Sequence, residues 1–111
     1  MSNEPPGDAG QVPSRIAAQI RSGAVRFTTH AHQEMLADGF TVDDVQHALS
    51  GSRLLEDYPE HKRGACALFG GVAQDGRPIH IVSTTANPVL IVITAYEPKP
   101  PKWLTPTQRN R

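Results

Sequence analysis

The chain has 111 residues, a single cysteine and zero formal net charge at pH 7. That length bounds it to one domain with tails. The lone Cys66 excludes an intrachain disulfide and any CxxC motif, and no apolar run approaches the ~18 residues of a membrane helix. Charge is unevenly spread: Glu4 and Asp8 make residues 1–13 acidic, while Lys99, Lys102, Arg109 and Arg111 make residues 99–111 basic. The segment between them carries seven Lys/Arg against nine Asp/Glu. Nucleic-acid binders usually concentrate basic charge on the folded domain, so this distribution argues against one.

Residues 1–13 (Pro5-Pro6-Gly7, Gly10, Pro13) offer little to bury and read as a disordered tail. They lack a basic-then-apolar leader pattern, so a cytoplasmic location is expected. Ser14 can cap a short helix over 15–22, with Ile16, Ala17 and Ile20 on one face and Gly23 as its stop. Val25 to Thr28 alternates apolar with polar and suits a short edge strand. Thr28 or Thr29 can cap a second helix that carries Ala31 and Met35 and stops at Gly39. Thr41-Val42-Asp43-Asp44 resembles a capping box, and Val45 with Ala48 or Leu49 continues at helical spacing to Gly51. Two helices with so short a link make an antiparallel pair, a lid for one face of a sheet.

Beyond Gly51 the period changes to that of strands. Arg53 to Tyr58 ends at Pro59; Ala65 to Ala73 contains Gly70-Gly71, a sign of a bulge or a close backbone approach. Asp75-Gly76 is a hairpin signal leading into Pro78 to Thr84. Within 88–98, Val89 to Ile93 is an unbroken aliphatic run, mostly β-branched, which reads as a strand buried on both faces with neighbours on both sides. Leu90 and Val92 belong to one face, Ile91 and Ile93 to the other. Trp103, in the Pro-rich tail, is placed to dock back on the core. The expected fold class is α+β, with helices packed on one face of a four-stranded antiparallel sheet and a short extra edge strand. The domain spans 14–98, between the two tails.

Several short pieces recur in a familiar order: Phe27-Thr28-Thr29-His30-Ala31, Met35, Gly39-Phe40-Thr41, Glu56-Asp57-Tyr58-Pro59, Arg77-Pro78-Ile79-His80-Ile81-Val82, Ile93-Thr94-Ala95-Tyr96-Glu97-Pro98 and Trp103. Their order and spacing resemble the DUF4258 family, over roughly residues 25–103. That family is generally grouped with the RelE/ParE-like toxin superfamily. The resemblance implies a small RelE-like α+β domain, a metal-independent ribonuclease toxin activity and a neighbouring antitoxin as protein partner. One departure stands out: the family commonly has arginine where this chain has Glu34 and Asp38, in a pattern like HAxxRMxxRG. Two carboxylates on the helix of His30 repel RNA phosphate, so RNA is disfavoured as a partner. The alternative function is a non-catalytic protein-interaction module derived from the same fold.

RNA cleavage by a 2′-hydroxyl needs a base, an acid and a cation for the developing phosphorane charge. His30 and His80 are the candidate base and acid, Tyr96 a hydrogen-bond donor, and Arg26 and Arg77, with Arg53 behind them, the substrate-binding cations. Each has a structural reading as well: a turn histidine, a strand histidine opposite Ile79 and Ile81, and a core-edge tyrosine. His30 and His32 diverge on a helix, and neither HExxH nor a Cys/His spacing is present. No metal and no cofactor are expected.

Overall fold

The computed structural model describes residues 14–60, 62, 64–86, 88–100 and 103–109. The elements are α1 (Ser14–Ser22), β1 (Val25–Phe27), α2 (Thr29–Ala37), α3 (Val42–Ser50), β2 (Arg53–Tyr58), β3 (Cys66–Val72), β4 (Pro78–Thr84), β5 (Leu90–Tyr96), β6 (Trp103–Thr105) and β7 (Gln108–Arg109). The fold is α+β. The acidic segment 1–13 lies outside the described residues.

β2 to β5 form the expected antiparallel meander, but the sheet has five strands in the order β1-β5-β4-β3-β2 and is mixed. The extra edge strand pairs parallel to β5, with Val25 opposite Leu90 and Phe27 opposite Val92. β5 therefore has a neighbour on each side, as its aliphatic run requires. Its alternation slips once. Val82 pairs with Thr94 and Ser83 with Val92, so Ile93 is an extra, bulged residue. The buried positions are consequently Leu90, Val92 and then Ala95, while Ile91 and Ile93 are only half-buried.

The core lies between one face of the sheet and the helices. Ile16 of α1, Ala31 and Met35 of α2 and Val45, Ala48 and Leu49 of α3 meet Ala67, Phe69, Ile79, Ile81, Leu90 and Val92. Gly71 explains how α3 comes so close: a Cβ there would collide with the Ala48 carbonyl oxygen. The Gly-Gly pair thus marks a close backbone approach, and the bulge of this hairpin falls at Leu55 of β2 instead.

Helix caps tie both core helices to the sheet. Thr28 Oγ1 accepts from the Ala31 N–H at 3.0 Å, closing the start of α2, and donates to the Ile93 carbonyl at 3.1 Å. Thr41 and Asp44 form a reciprocal capping box at the start of α3. Asp44 also accepts from the Gln74 N–H at 3.3 Å, which fastens α3 to the β3–β4 turn. The backbone hydrogen bond from Thr41 is the largest influence on the Asp44 carboxyl and holds it below its ordinary value.

Beyond β1 no strand among the described residues lies beside the outer edge of β5. α2 takes over: Glu34 Oε1 accepts from the Ala95 N–H at 3.2 Å and Asp38 Oδ2 from the Glu97 N–H at 2.9 Å. Glu34 and Asp38 therefore satisfy ladder donors that would otherwise lack partners.

Candidate functional site: the helix-free face of the sheet

Register places a second set of side chains on the face away from α2 and α3. Gly70, His80 and Tyr96 are cross-strand neighbours, as are Leu68, Val82 and Thr94. Arg53 pairs with Gly70, Glu56 with Leu68 and Tyr58 with Cys66, and paired residues share a face. The Tyr58 hydroxyl donates to Glu56. Cys66 is fully buried with its thiol donating to the Gly64 carbonyl, the environment of a small hydrophobe.

The β6–β7 hairpin lies over the centre of this face. Trp103 is 2% exposed and packs edge-on against the His80 ring, with centroids 4.3 Å apart. His80 itself is only 1% exposed. Its Nε2 lies 2.5 Å from the Pro106 carbonyl oxygen and its Nδ1 3.3 Å from the Tyr96 hydroxyl. A carbonyl can only accept, so Nε2 carries the proton. In the neutral ring Nδ1 is then the acceptor, and the Tyr96 hydroxyl donates to it. Both ring nitrogens are engaged.

Beside this pair opens a cavity of about 400 Å³, within the size range of small-ligand sites. Gly70 and Gly71 contribute to its floor, Leu55, Val72, Pro78 and Pro106 to its apolar walls, and Arg53 and His80 to its polar part. A Cβ on Gly70 would meet Leu55 Cδ1 at 2.8 Å and His80 Cδ2 at 3.7 Å, so the missing side chain leaves room between them.

Residues 27–97 match the family model described as a domain of unknown function, DUF4258. The chain belongs to the DUF4258 family. No curated protein and no solved structure matches it.

Within this DUF4258 domain the five site candidates separate into four places. His80 and Tyr96 come together on the helix-free face, and Arg53 lines the cavity beside them. His30 stays on the exposed side of α2, its Nε2 3.4 Å from Glu34 Oε1 and its side chain 66% exposed. Arg26, on the edge strand, donates to the carbonyl of Val25. Arg77 is committed to structure. Its Nη1 and Nη2 donate to the carbonyls of Asp38 and Gly39 at 2.8 and 3.2 Å, closing the end of α2, and Nε donates to Asp75 at 3.0 Å. Its guanidinium also lies 4.3 Å from the centre of the Phe40 ring.

Trp103 and the Gly70-Gly71 pair carried signals in the sequence, a lone tryptophan in a polar tail and a double glycine in a strand. Pro106 carried none, because its contribution is a backbone carbonyl. Among the described residues no group of three or more His, Cys, Asp or Glu is placed to hold a metal ion. Among the same residues no helix is long and apolar enough to cross a membrane.

Proposed function

We propose that this DUF4258 domain is a non-catalytic interaction module, derived from a RelE/ParE-like fold and acting on a protein partner in the cytoplasm. The observation that carries this reading is the state of His80, which is buried and hydrogen-bonded through both ring nitrogens. A general base or acid must reach the proton it transfers, and here neither nitrogen faces a substrate. The second histidine, His30, sits on α2, and Arg77 is spent on helix closure. The two helices over an antiparallel meander support the superfamily relation.

A ribonuclease toxin held in check by an antitoxin is the second reading. It is favoured by Arg53 and His80 lining one open cavity, with the Tyr96 hydroxyl hydrogen-bonded to that histidine. The acidic pair Glu34 and Asp38 weighs on RNA approaching His30, but α2 packs toward the other face, so it does not shield this cavity. The deciding experiment incubates the full chain with RNA, follows growth on induced expression with and without the neighbouring gene, and compares His80→Ala and Tyr96→Phe. The interaction-module reading expects intact RNA and undisturbed growth in every case. Cleavage by the unsubstituted chain, lost in folded His80→Ala, would overturn it in favour of the nuclease.

A further inference from the structure

We propose that the cavity on the helix-free face binds an aliphatic carboxylate: a carboxylate group held by Arg53, with its hydrocarbon body between Leu55, Val72 and Pro106. This deepens the interaction-module reading and rests on it, because His80 serves here as a fixed wall and not as a reactive group.

Three observations carry the proposal. The first is shape: an opening of about 400 Å³ in a domain this small is large enough for a ligand of several carbon atoms. The glycine at position 70 keeps it deep, since a Cβ there would project toward Leu55 and His80. The second is chemistry. Leu55, Val72, Pro78 and Pro106 give the wall an apolar part, and Val72 is half exposed (50%) although it is aliphatic. Covering such surface is favourable in proportion to its area.

The third is charge. Arg53 is the cationic side chain in the lining, and no hydrogen bond or ion pair engages its guanidinium among the described residues. Arg77, by contrast, is fully employed. A guanidinium at the mouth of an apolar cavity selects a planar, bidentate anion, and carboxylate fits that fork. One cation beside an apolar wall matches a monoanion with an apolar body better than a multiply charged phosphate. The same chemistry is offered by a free short-chain acid and by a partner chain ending in an aliphatic residue. β2, which supplies Arg53 and Leu55, is an edge strand, so an extended chain end arriving there also meets unpaired backbone groups.

Trp103 is the sole tryptophan and touches His80 of the cavity wall, so its emission reports occupancy in the full chain. The probes are hexanoate, hexanol, and an acetylated tripeptide ending in leucine as its free acid or its amide. Amide shifts of Gly70, Gly71 and Gly76, which all line the cavity, locate the binding. One or both acids should give saturable changes, and the matched alcohol or amide should bind about tenfold more weakly, the loss expected for one charge-assisted contact at an open rim. Arg53→Gln, at an exposed position, should weaken the acid by a similar factor while leaving the fold intact. Gly70→Ala, which fills the floor, should weaken acid and alcohol alike.

Binding by hexanoate makes the ligand a free acid, and binding by the peptide acid alone makes it a chain end; either supports the site. Equal binding of acid and alcohol, an unchanged Kd in Arg53→Gln, or no shift from either acid up to about 10 mM, far weaker than ordinary recognition, would overturn it. RNA cleavage by the full chain would overturn the interaction-module reading instead. Failure of the carboxylates with RNA left intact would remove only this site.

Discussion

Beneath α2 and α3 the sheet presents Ala67, Phe69, Ile79, Ile81, Leu90 and Val92, each at most 1% exposed and packed against helix side chains. On its other side the same strands present Arg53, Glu56, His80 and Tyr96 among Leu68 and Val82. Instead of two helices, a short hairpin and a few hydrogen bonds cover that side. The first face is specified by volume, because a packed core tolerates neither gaps nor excess. The second is specified by polar partners, and it keeps an opening that packing alone would have closed. The second face is therefore the one with room for a ligand.

The neighbouring glycines of β3 offer the strongest way to break this contrast, since one faces each side. Gly71→Ala drives a methyl into the Ala48 backbone of α3, which cannot yield as a side-chain tip can. It should cost about 3 kcal/mol or more, the upper part of the overpacking range. Gly70→Ala meets the far end of Leu55, and should cost under about 1 kcal/mol, because a side chain can change rotamer. Urea unfolding of the two variants measures both; equal losses would mean that the faces are equally packed.

The β5 edge sharpens the comparison at the next level. Replacing both Glu34 and Asp38 by alanine leaves the N–H groups of Ala95 and Glu97 without their acceptors. The double variant should lose about 1–3 kcal/mol, as for unmet donors that water reaches in part. Hydrogen exchange at those two amides should accelerate more than at Ile81 in the sheet centre. Unchanged exchange would show that the carboxylates decorate the edge without holding it.

A smaller, pH-dependent effect belongs to Asp44. Its folded carboxyl sits below the ordinary value of 3.8, chiefly through the Thr41 N–H. A lowered folded value means that the contribution is complete above the unfolded value and fades as pH falls through the folded one. Asp44→Asn should therefore unfold at lower urea than the unsubstituted chain at pH 6, with the gap closing as pH falls below 3.8 and through the folded value. A gap that persists once the carboxyl is protonated would assign the effect to shape and not to charge. The smallest change is expected at Ser83, fully buried on the helix side with no partner for its hydroxyl among the described residues. Ser83→Ala removes an unmet polar group, so stability should stay level or rise by up to about 1 kcal/mol. A clear loss would reveal a hydrogen bond to this hydroxyl.

Local signals in the sequence were reliable where the physics is local. The caps at Thr28 and Thr41, the helix stop at Gly39 and the Asp75-Gly76 turn each follow from residues within a few positions. The meander was legible for the same reason. The parallel pairing of β1 with β5 was not, because a three-residue strand carries no mark of its distant neighbour. The slip at Ile93 was hidden as well: an all-aliphatic run hides any change of face. Within the site, His80 and Tyr96 were identifiable by type, but their pairing across strands and the ceiling of Trp103 and a proline carbonyl above them were not. A backbone oxygen leaves no trace in composition. In the sequence Glu34 and Asp38 are two charges that repel RNA; in the fold they are also acceptors for the β5 edge, a role set by the position of α2 beside that strand.

The union of the first strand with the fifth has a consequence for how the molecule is made. Thr28 reaches Ile93 across 65 positions of chain, and the seat for β1 exists only when β5 has been synthesised. α2 and α3 can form early from their own caps, but they have no floor until the meander is complete. A ribosome adding about 5–20 residues per second would hold the first half waiting for several seconds, with Met35 and Leu49 uncovered. The rate of folding should therefore be set by closure of that long loop. Emergence of β5 would then act as the cue for the domain to assemble all at once.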